Sequence, residues 1–110
     1  MRVGIIDHID SAHTLPGIDG AAEVHGHTYR VEVVAQGAPQ GGMVIDFRAL
    51  RDQAREVLAR YDHCVLNDVL EFPSCENLAS AIFRDLKARQ PQLYSVRVWE
   101  GGNKWAEARA

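Results

Sequence analysis

The sequence contains no long hydrophobic run and no excess of positive charge. Its apolar stretches are only a few residues long, so none could cross a bilayer as a helix, and no membrane partner is expected. The 15 aspartate and glutamate residues outnumber the 12 lysine and arginine residues, which gives a formal net charge of -3. Without a basic cluster, binding to nucleic acid is not expected either.

Cysteine is also scarce. Cys64 and Cys75 are the two thiols, and their spacing is not that of a Cys-x-x-Cys pair. The start of the chain, "MRVGIIDHID", has neither the apolar segment nor the cleavage site of a secretory signal. These features predict a cytoplasmic protein whose cysteines stay reduced.

The composition that remains is that of an ordinary globular domain. With 110 residues, 46% of them hydrophobic and 25% charged, residues 1–110 are expected to form a single domain with a moderate core. Residues rich in β-formers predict a first strand over 2–11. Alternating apolar and polar residues over 24–35 predict a second strand, with Tyr29 and Val31 on its inner face.

The second half of the chain predicts two helices and then two more strands. Apolar residues recur at helical spacing after Asp46 and again after Ser74, and both residues can cap a helix N-terminus. Segments 92–100 and 104–110 then predict a hairpin in which Tyr94 shares a face with Val96. The order ββααββ indicates an α+β fold with one antiparallel sheet, whose open edges oligomerisation could close.

Two histidines flank Gly26 where the second predicted strand begins. His25 and His27 project to the same side of a strand, and the hairpin would bring His13 close to His25. Three imidazoles without a fourth protein ligand are typical of an open zinc site. The spacing alone is more often that of a pair of partly exposed histidines on a strand face.

Six short segments between about Ile9 and Ala106 stand out: "SAH", "HGHTYRVEV", "GGMVIDF", "YDHCVLND", "PSCENLA" and "VRVWE". Their order and spacing resemble those of the 6-pyruvoyltetrahydropterin synthase family. This family includes the 6-carboxytetrahydropterin synthases of queuosine biosynthesis. The resemblance implies the tunnelling fold: a four-stranded antiparallel sheet with two helices on one face. It also implies that three subunits close a barrel and that two barrels stack into a hexamer.

The same resemblance implies roles for individual residues. It assigns a zinc ion to His13, His25 and His27, and an acid/base pair to Asp62 and His63. A histidine titrates near neutral pH, and a neighbouring carboxylate fixes its tautomer. Taken without the resemblance, His63 would be interpreted as a loop histidine near the end of a helix, where the helix dipole favours it.

Further residues are implied to hold the pterin. Glu100 matches the family's pterin anchor, since two carboxylate oxygens can accept the ring N–H and the exocyclic amine together. A glutamate at the end of an apolar strand face is also unusual for a residue that has no role beyond solvation of the surface. Ser74 and Glu76 lie in the segment that helps to hold the pterin in the family, although Ser74 fits equally well as a helix cap.

The sequence departs from the family at one position. Members usually carry a catalytic cysteine shortly before "HGH", whereas this chain reads "GIDGAAEVHGH" and has no cysteine before Cys64. Glu23 could act as the base instead, as in aldolase-type variants that release 6-hydroxymethyl-7,8-dihydropterin. Its side chain could face the zinc, lie in a bulge or point to solvent. Cys64 or Cys75 of another subunit could also approach the site, or both could be inert buried thiols.

The function predicted from the sequence is therefore that of a zinc-dependent lyase. It would act on 7,8-dihydroneopterin triphosphate as a 6-pyruvoyl- or 6-carboxytetrahydropterin synthase. Three alternatives stay open: the aldolase-type variant, a pterin-binding protein that lost catalysis with its cysteine, and an unrelated metal-binding domain.

Overall fold

The computed structural model describes residues 1–110 as one antiparallel sheet of four strands with two helices packed on one face. The strands lie side by side in chain order, β1-β2-β3-β4. The predicted ββααββ order and the α+β fold class are therefore confirmed. The elements are β1 (Arg2–His13), β2 (His25–Gln36), α1 (Phe47–Leu58), α2 (Cys75–Lys87), β3 (Leu93–Glu100) and β4 (Trp105–Arg109).

The core lies between the sheet and the two helices. In β2 the inner residues Tyr29, Val31 and Val33 are fully buried, while Arg30 points outwards into solvent. This alternation follows from the pleat, which sends successive side chains to opposite faces. The helices contribute their apolar stripes, with Leu50, Ala54, Val57 and Leu58 from α1 and Leu78, Ala79, Ala81, Ile82 and Leu86 from α2.

Both helices begin at the residues that the sequence predicted as caps. The Asp46 carboxylate accepts the Arg48 N–H at 2.8 Å, and the Ser74 hydroxyl accepts the Asn77 N–H at 3.1 Å. Each bond satisfies one of the backbone donors that a helix leaves unpaired at its first turn. Neither helix has the length or the apolar content of a segment that crosses a bilayer.

The first strand is longer than the sequence predicted. It continues to His13, which pairs directly with His25 at the end of the β1–β2 ladder. His13 is thus part of the sheet rather than of the connecting loop. The ladder holds the position of its ring more firmly than a loop would.

The prediction that Tyr94 shares a face with Val96 is wrong. The register between β2 and β3 shifts by one residue, because Val34 pairs with Ser95 whereas Ala35 pairs with Leu93. This bulge turns Leu93 into the core, where it is 1% exposed, and sends Tyr94 to the outer face. There the guanidinium of Arg2 lies 3.7 Å from the centre of the Tyr94 ring.

The two edge strands of the sheet differ in whether other parts of the chain cover them. Residues 62–65 cover the far end of β1, where His63 N–H donates to the Asp10 carbonyl and Ala12 N–H donates to the Cys64 carbonyl. The outer edge of β4 has no neighbouring strand within the chain. An open edge of this kind is a template for pairing with another chain.

Candidate active site

Three histidines meet at the end of the sheet where β1 stops and β2 begins. His13 and His25 are a directly opposed pair, and His27 follows two residues later on the same face of β2. Their ring centroids lie 4.5–5.1 Å apart, and the Nε2 atoms of His13 and His25 are only 3.0 Å apart. One donor atom from each of the three rings lies within 4.8 Å of the others.

Backbone carbonyls hold two of the rings in a defined tautomer. The Nδ1 of His13 lies 2.7 Å from the carbonyl of Pro73, and the Nδ1 of His25 lies 2.8 Å from the carbonyl of Glu23. A carbonyl can only accept, so each Nδ1 carries the proton and each Nε2 presents a lone pair. Two lone pairs 3.0 Å apart repel each other unless a cation or a shared proton lies between them.

The third histidine completes a donor set that fits a metal ion. The Nε2 of His27 is buried and has no hydrogen-bond partner. Burial, together with the neighbouring His13 and His25, lowers the pKa of His27 despite the opposing effect of Glu100. A neutral imidazole is the form that binds a metal, and three of them suit a divalent transition metal such as zinc.

Glu100 faces the histidine cluster. It is the last residue of β3, and its pairing with Tyr29 places it on the inner face of the sheet. Its Oε1 lies 3.7 Å from His13 Nε2 and 3.9 Å from His27 Nε2, and its side chain is 18% exposed. The carboxylate therefore points to the imidazole nitrogens of the cluster and not to open water.

Tyr29 belongs to the site, although the sequence pattern predicts it only as a core residue. It is fully buried, and its hydroxyl lies 3.4 Å from His13 Nδ1. Burial raises the pKa of Tyr29, so its hydroxyl stays protonated. The alternation His25, His27, Tyr29 along β2 is the signal that could have identified it.

Asp62 and His63 form a second group at the covered end of β1. The Asp62 Oδ1 accepts the Asp10 backbone N–H at 2.9 Å and lies 3.6 Å from His63 Nε2. The His63 side chain is 78% exposed. A cavity of about 490 Å³ lies beside this end of β1, and its walls include Asp10, His27 and Cys64.

The charge of Asp62 is stabilised in this position. Burial by itself would raise its pKa, but the Asp10 N–H and the Arg55 guanidinium outweigh this, and the pKa of Asp62 is lowered. The carboxylate is therefore ionised at neutral pH and can orient a neighbouring imidazole.

The remaining residues predicted for the site are not in contact with the histidine cluster through their side chains. Glu23 is exposed in the loop before β2, and its backbone carbonyl, not its carboxylate, contacts His25. The Ser74 hydroxyl is engaged as the α2 cap, and Glu76 is exposed in the first turn of α2. The cap still lies beside the site, because the preceding residue, Pro73, holds His13.

Comparison with known proteins gives a consistent result. A family model described as 6-pyruvoyl tetrahydropterin synthase matches residues 2–110. A protein of Archaeoglobus fulgidus named "Putative 6-carboxy-5,6,7,8-tetrahydropterin synthase" is 40% identical over 110 residues, which are 99% of this chain and 96% of that protein. A dihydroneopterin monophosphate aldolase of Pyrococcus furiosus is 35% identical over 95 residues, which are 84% of this chain and 82% of the aldolase.

A solved structure agrees with these relatives. The 6-pyruvoyl tetrahydropterin synthase of Caenorhabditis elegans superposes with a TM-score of 0.87 and 25% sequence identity, over 100% of this chain and 95% of that one. The match extends over the whole sheet and both helices, and so includes the strand ends that carry the histidine cluster. The chain therefore belongs to the 6-pyruvoyl tetrahydropterin synthase family.

Proposed function

We propose that this protein is a zinc-dependent lyase that acts on the side chain of 7,8-dihydroneopterin triphosphate. The observation that carries the proposal is the convergence of three imidazoles beside the Glu100 carboxylate. The product would be a 6-pyruvoyl- or 6-carboxytetrahydropterin. The 40% identical relative favours the 6-carboxy product, and with it a role in queuosine biosynthesis.

In this proposal the histidine cluster binds the metal, and backbone groups of neighbouring segments keep the histidine rings in position. His13, His25 and His27 are the ligands, and the carbonyls of Pro73 and Glu23 keep two of the rings in the ligand tautomer. Zinc bound there would polarise the side-chain oxygens of the substrate and lower the pKa of its hydroxyls.

Glu100 would bind the pterin ring. Its two oxygens can accept two neighbouring N–H groups of the pterin edge, which is a charge-assisted contact with a defined direction. Since Oε1 is within 4 Å of two of the cluster's nitrogens, a ring held by Glu100 has its side chain beside the metal ligands. Ser74 and Glu76, at the start of α2, would contribute to the same pocket.

Proton transfer would be divided between two groups. Asp62 orients His63, whose exposed ring is free to exchange protons with the substrate. Glu23 takes the place of the missing cysteine as a second base. Its loop joins β1 to β2, and its backbone carbonyl lies 2.8 Å from His25 Nδ1, so Glu23 is next to the histidine cluster in the chain and in space.

The aldolase reaction is the second candidate. It is favoured by the absence of a cysteine in the segment before His25 and by the 35% identical relative that is named as an aldolase. In that case the bond broken is a carbon–carbon bond of the side chain, and the product is 6-hydroxymethyl-7,8-dihydropterin. The same histidines, Glu100 and Glu23 would serve both reactions.

Product identification separates these functions. Zinc-loaded protein is incubated with 7,8-dihydroneopterin, its monophosphate and its triphosphate, and the pterins are identified by mass spectrometry. A 6-pyruvoyl or 6-carboxy product supports the synthase, and a 6-hydroxymethyl product supports the aldolase. Tight binding without turnover indicates a pterin-binding protein, and zinc without pterin affinity rejects the pterin function.

We also propose that the protein is a cytoplasmic homohexamer made of two stacked trimers. Its single sheet has an open β4 edge, and a ring of subunits would pair such edges. Both cysteines are free thiols, which suits a reducing compartment. Light scattering on the purified protein tests the hexamer, and cell fractionation tests the location.

A further inference from the structure

Arg55 lies on α1 and contacts three acceptors, two in the middle of β1 and one in the segment after α1. Its Nη1 lies 3.2 Å from Asp7 Oδ2 and 3.3 Å from the His8 carbonyl, and its Nη2 lies 3.2 Å from Asp62 Oδ2. The planar guanidinium therefore bridges a carboxylate of the sheet and the Asp62 carboxylate with two different nitrogens. Because the guanidinium is planar and its donors have fixed directions, it sets the orientation of the bound carboxylates as well as balancing their charge.

The two oxygens of Asp62 have separate partners. Oδ2 is bound by Arg55, whereas Oδ1 accepts the Asp10 N–H and faces His63 Nε2 at 3.6 Å. Rotation of the carboxylate about its last bond would exchange these oxygens. The contact with Arg55 opposes that rotation, so that Oδ1 stays directed at the imidazole.

The backbone of His63 has an unfavourable conformation, which its contacts with neighbouring residues maintain. His63 has a φ of 53°, and it is the single residue other than glycine with a positive φ. Such a conformation is unfavourable for a residue with a Cβ and persists only where the surroundings determine it. Here Asp10 accepts the His63 N–H at 2.7 Å and also donates to Asp62, so one β1 residue holds both members of the pair.

We propose that Arg55 is a positioning residue for catalysis, which acts by holding the Asp62 carboxylate in the orientation that supports His63. The inference rests on the proposed acid/base role of the Asp62–His63 pair. It adds a residue from α1, an element that otherwise contributes only to the core. Arg55 does not touch the substrate and acts through Asp62 alone.

A lysine cannot replace Arg55 in this role. Its single nitrogen keeps the positive charge, but it cannot contact Asp7 and Asp62 in the fixed geometry of the guanidinium. Charge and geometry can therefore be separated experimentally. Arg51, one turn earlier on the same helix, is exposed to solvent and offers a matched control.

The experiment compares Arg55→Gln, Arg55→Lys and Arg51→Gln with the wild type. We expect kcat to fall about tenfold or more in both Arg55 variants, while KM and the zinc content stay within twofold. Arg51→Gln should match the wild type in every respect. A merely structural ion pair would reduce the amount of folded protein and would leave kcat per folded molecule unchanged, and an effect of charge alone would be rescued by lysine.

A second measurement needs no substrate. The pKa of Asp62, followed through its carboxyl carbon by nuclear magnetic resonance, should rise in Arg55→Gln because a hydrogen bond to the ionised form is lost. The other titratable groups near this carboxylate are Asp7 and Asp10 on β1 and His63 and Cys64 in the same segment. All four stay in the variant, although Asp7 also loses its contact with Arg55.

The outcomes keep the two proposals apart. Wild-type kcat in Arg55→Gln, or full recovery in Arg55→Lys, would overturn the positioning role while the pterin function stands. If the wild type converts no pterin at all, the proposed function fails. The titration of Asp62 then shows whether Arg55 controls this carboxylate. An unchanged Asp62 pKa in Arg55→Gln would overturn the inference in that case too.

Discussion

At the scale of single residues, hydrogen bonding and burial arrange three histidine side chains as a donor set that fits a metal ion. His13 and His25 each give their Nδ1 proton to a carbonyl, which leaves both Nε2 lone pairs directed at the same point. His27 adds a buried nitrogen with no other partner. An acceptor cluster of this kind is costly without a cation, so the arrangement itself favours metal binding.

We expect each of the variants His13→Ala, His25→Ala and His27→Ala to lose most of the bound zinc. Each removes one of three protein ligands, and an open zinc site needs all three. Metal content is measured by plasma mass spectrometry on protein purified in the presence of zinc. His8→Ala, an exposed histidine on the outer face of β1, should keep its metal. Full zinc in all three cluster variants would show that the ligand assignment is wrong.

We expect Glu100→Gln to weaken pterin binding by about 1–3 kcal/mol, because an amide replaces one charged acceptor by a donor. The affinity is measured by titration calorimetry with dihydroneopterin. Glu107→Gln, on the outer face of β4, is the control. An unchanged affinity in Glu100→Gln would remove this residue from the pterin site.

We expect Glu23→Gln to reduce turnover by about a hundredfold, the size of effect typical for loss of a general base. Zinc should be retained, because the backbone carbonyl of Glu23 and not its carboxylate holds His25. Asp19→Asn, exposed in the same loop, should leave turnover unchanged. Normal turnover in Glu23→Gln would mean that another group replaces the cysteine.

At the scale of elements, the site depends on contacts between segments that are distant in the chain. The residue before the α2 cap, Pro73, supplies its carbonyl to His13, and the segment after α1 covers the end of β1. Arg55 of α1 joins the same region through Asp7 and Asp62. The sheet and both helices thus all contribute to holding the functional side chains.

We expect the contribution of Asp62 to stability to depend on pH. Its pKa is lowered in the folded state from an ordinary value of 3.8, so the ionised form is stabilised by folding. The free energy of unfolding of the wild type should therefore exceed that of Asp62→Asn above about pH 4, the ordinary range of an aspartate. The difference should shrink as the pH falls through the lowered value.

Urea unfolding at a series of pH values measures this effect. Asp52→Asn, an exposed aspartate on α1, serves as the control. A difference between wild type and Asp62→Asn that does not change with pH would show that the carboxylate charge has no role in stability.

At the scale of the whole molecule, the chain is elongated and has an open sheet edge. Its Cα atoms extend over 51 × 22 × 21 Å. The radius of gyration is 14.5 Å, compared with about 13 Å for a compact domain of this length. Pairing of β4 with a neighbouring chain would satisfy its free backbone groups, which supports the proposed ring of subunits.

We expect Glu107→Pro to break the assembly into smaller species. Glu100 N–H donates to the Lys104 carbonyl, and Ala110 N–H donates to the Tyr94 carbonyl. In β4, therefore, the backbone N–H and C=O groups of the even-numbered residues point to β3, and those of the odd-numbered residues point away from it. The Glu107 N–H then points to the open edge, and proline removes it without breaking the β3–β4 ladder.

Mass determination by light scattering checks this prediction. Glu107→Gln loses the ion pair with Arg97, whose nitrogen lies 3.3 Å from the Glu107 carboxylate, but it keeps the N–H and should assemble normally. A folded Glu107→Pro variant with the mass of the wild type would show that β4 does not pair with a neighbour. A monomeric wild type would reject the hexamer.

Local patterns in the amino-acid sequence are sufficient to predict the order of the elements and their boundaries to within a few residues. Caps such as Asp46 and Ser74, and the alternation along β2, are signals that do not depend on distant parts of the chain. The spacing of His25 and His27 likewise predicts that both rings share one face, because side chains two residues apart on a strand project to the same side.

Which distant groups meet depends instead on how the chain folds back on itself. The Pro73 carbonyl is 60 residues from His13, the bulge that turns Tyr94 outwards lies between two strands, and the contact of Arg55 with Asp62 needs α1 to pack across β1. The physical reason is that propensity and periodicity act over a few residues. Register, packing and the hydrogen bonds between segments depend on how the whole chain excludes water from one core.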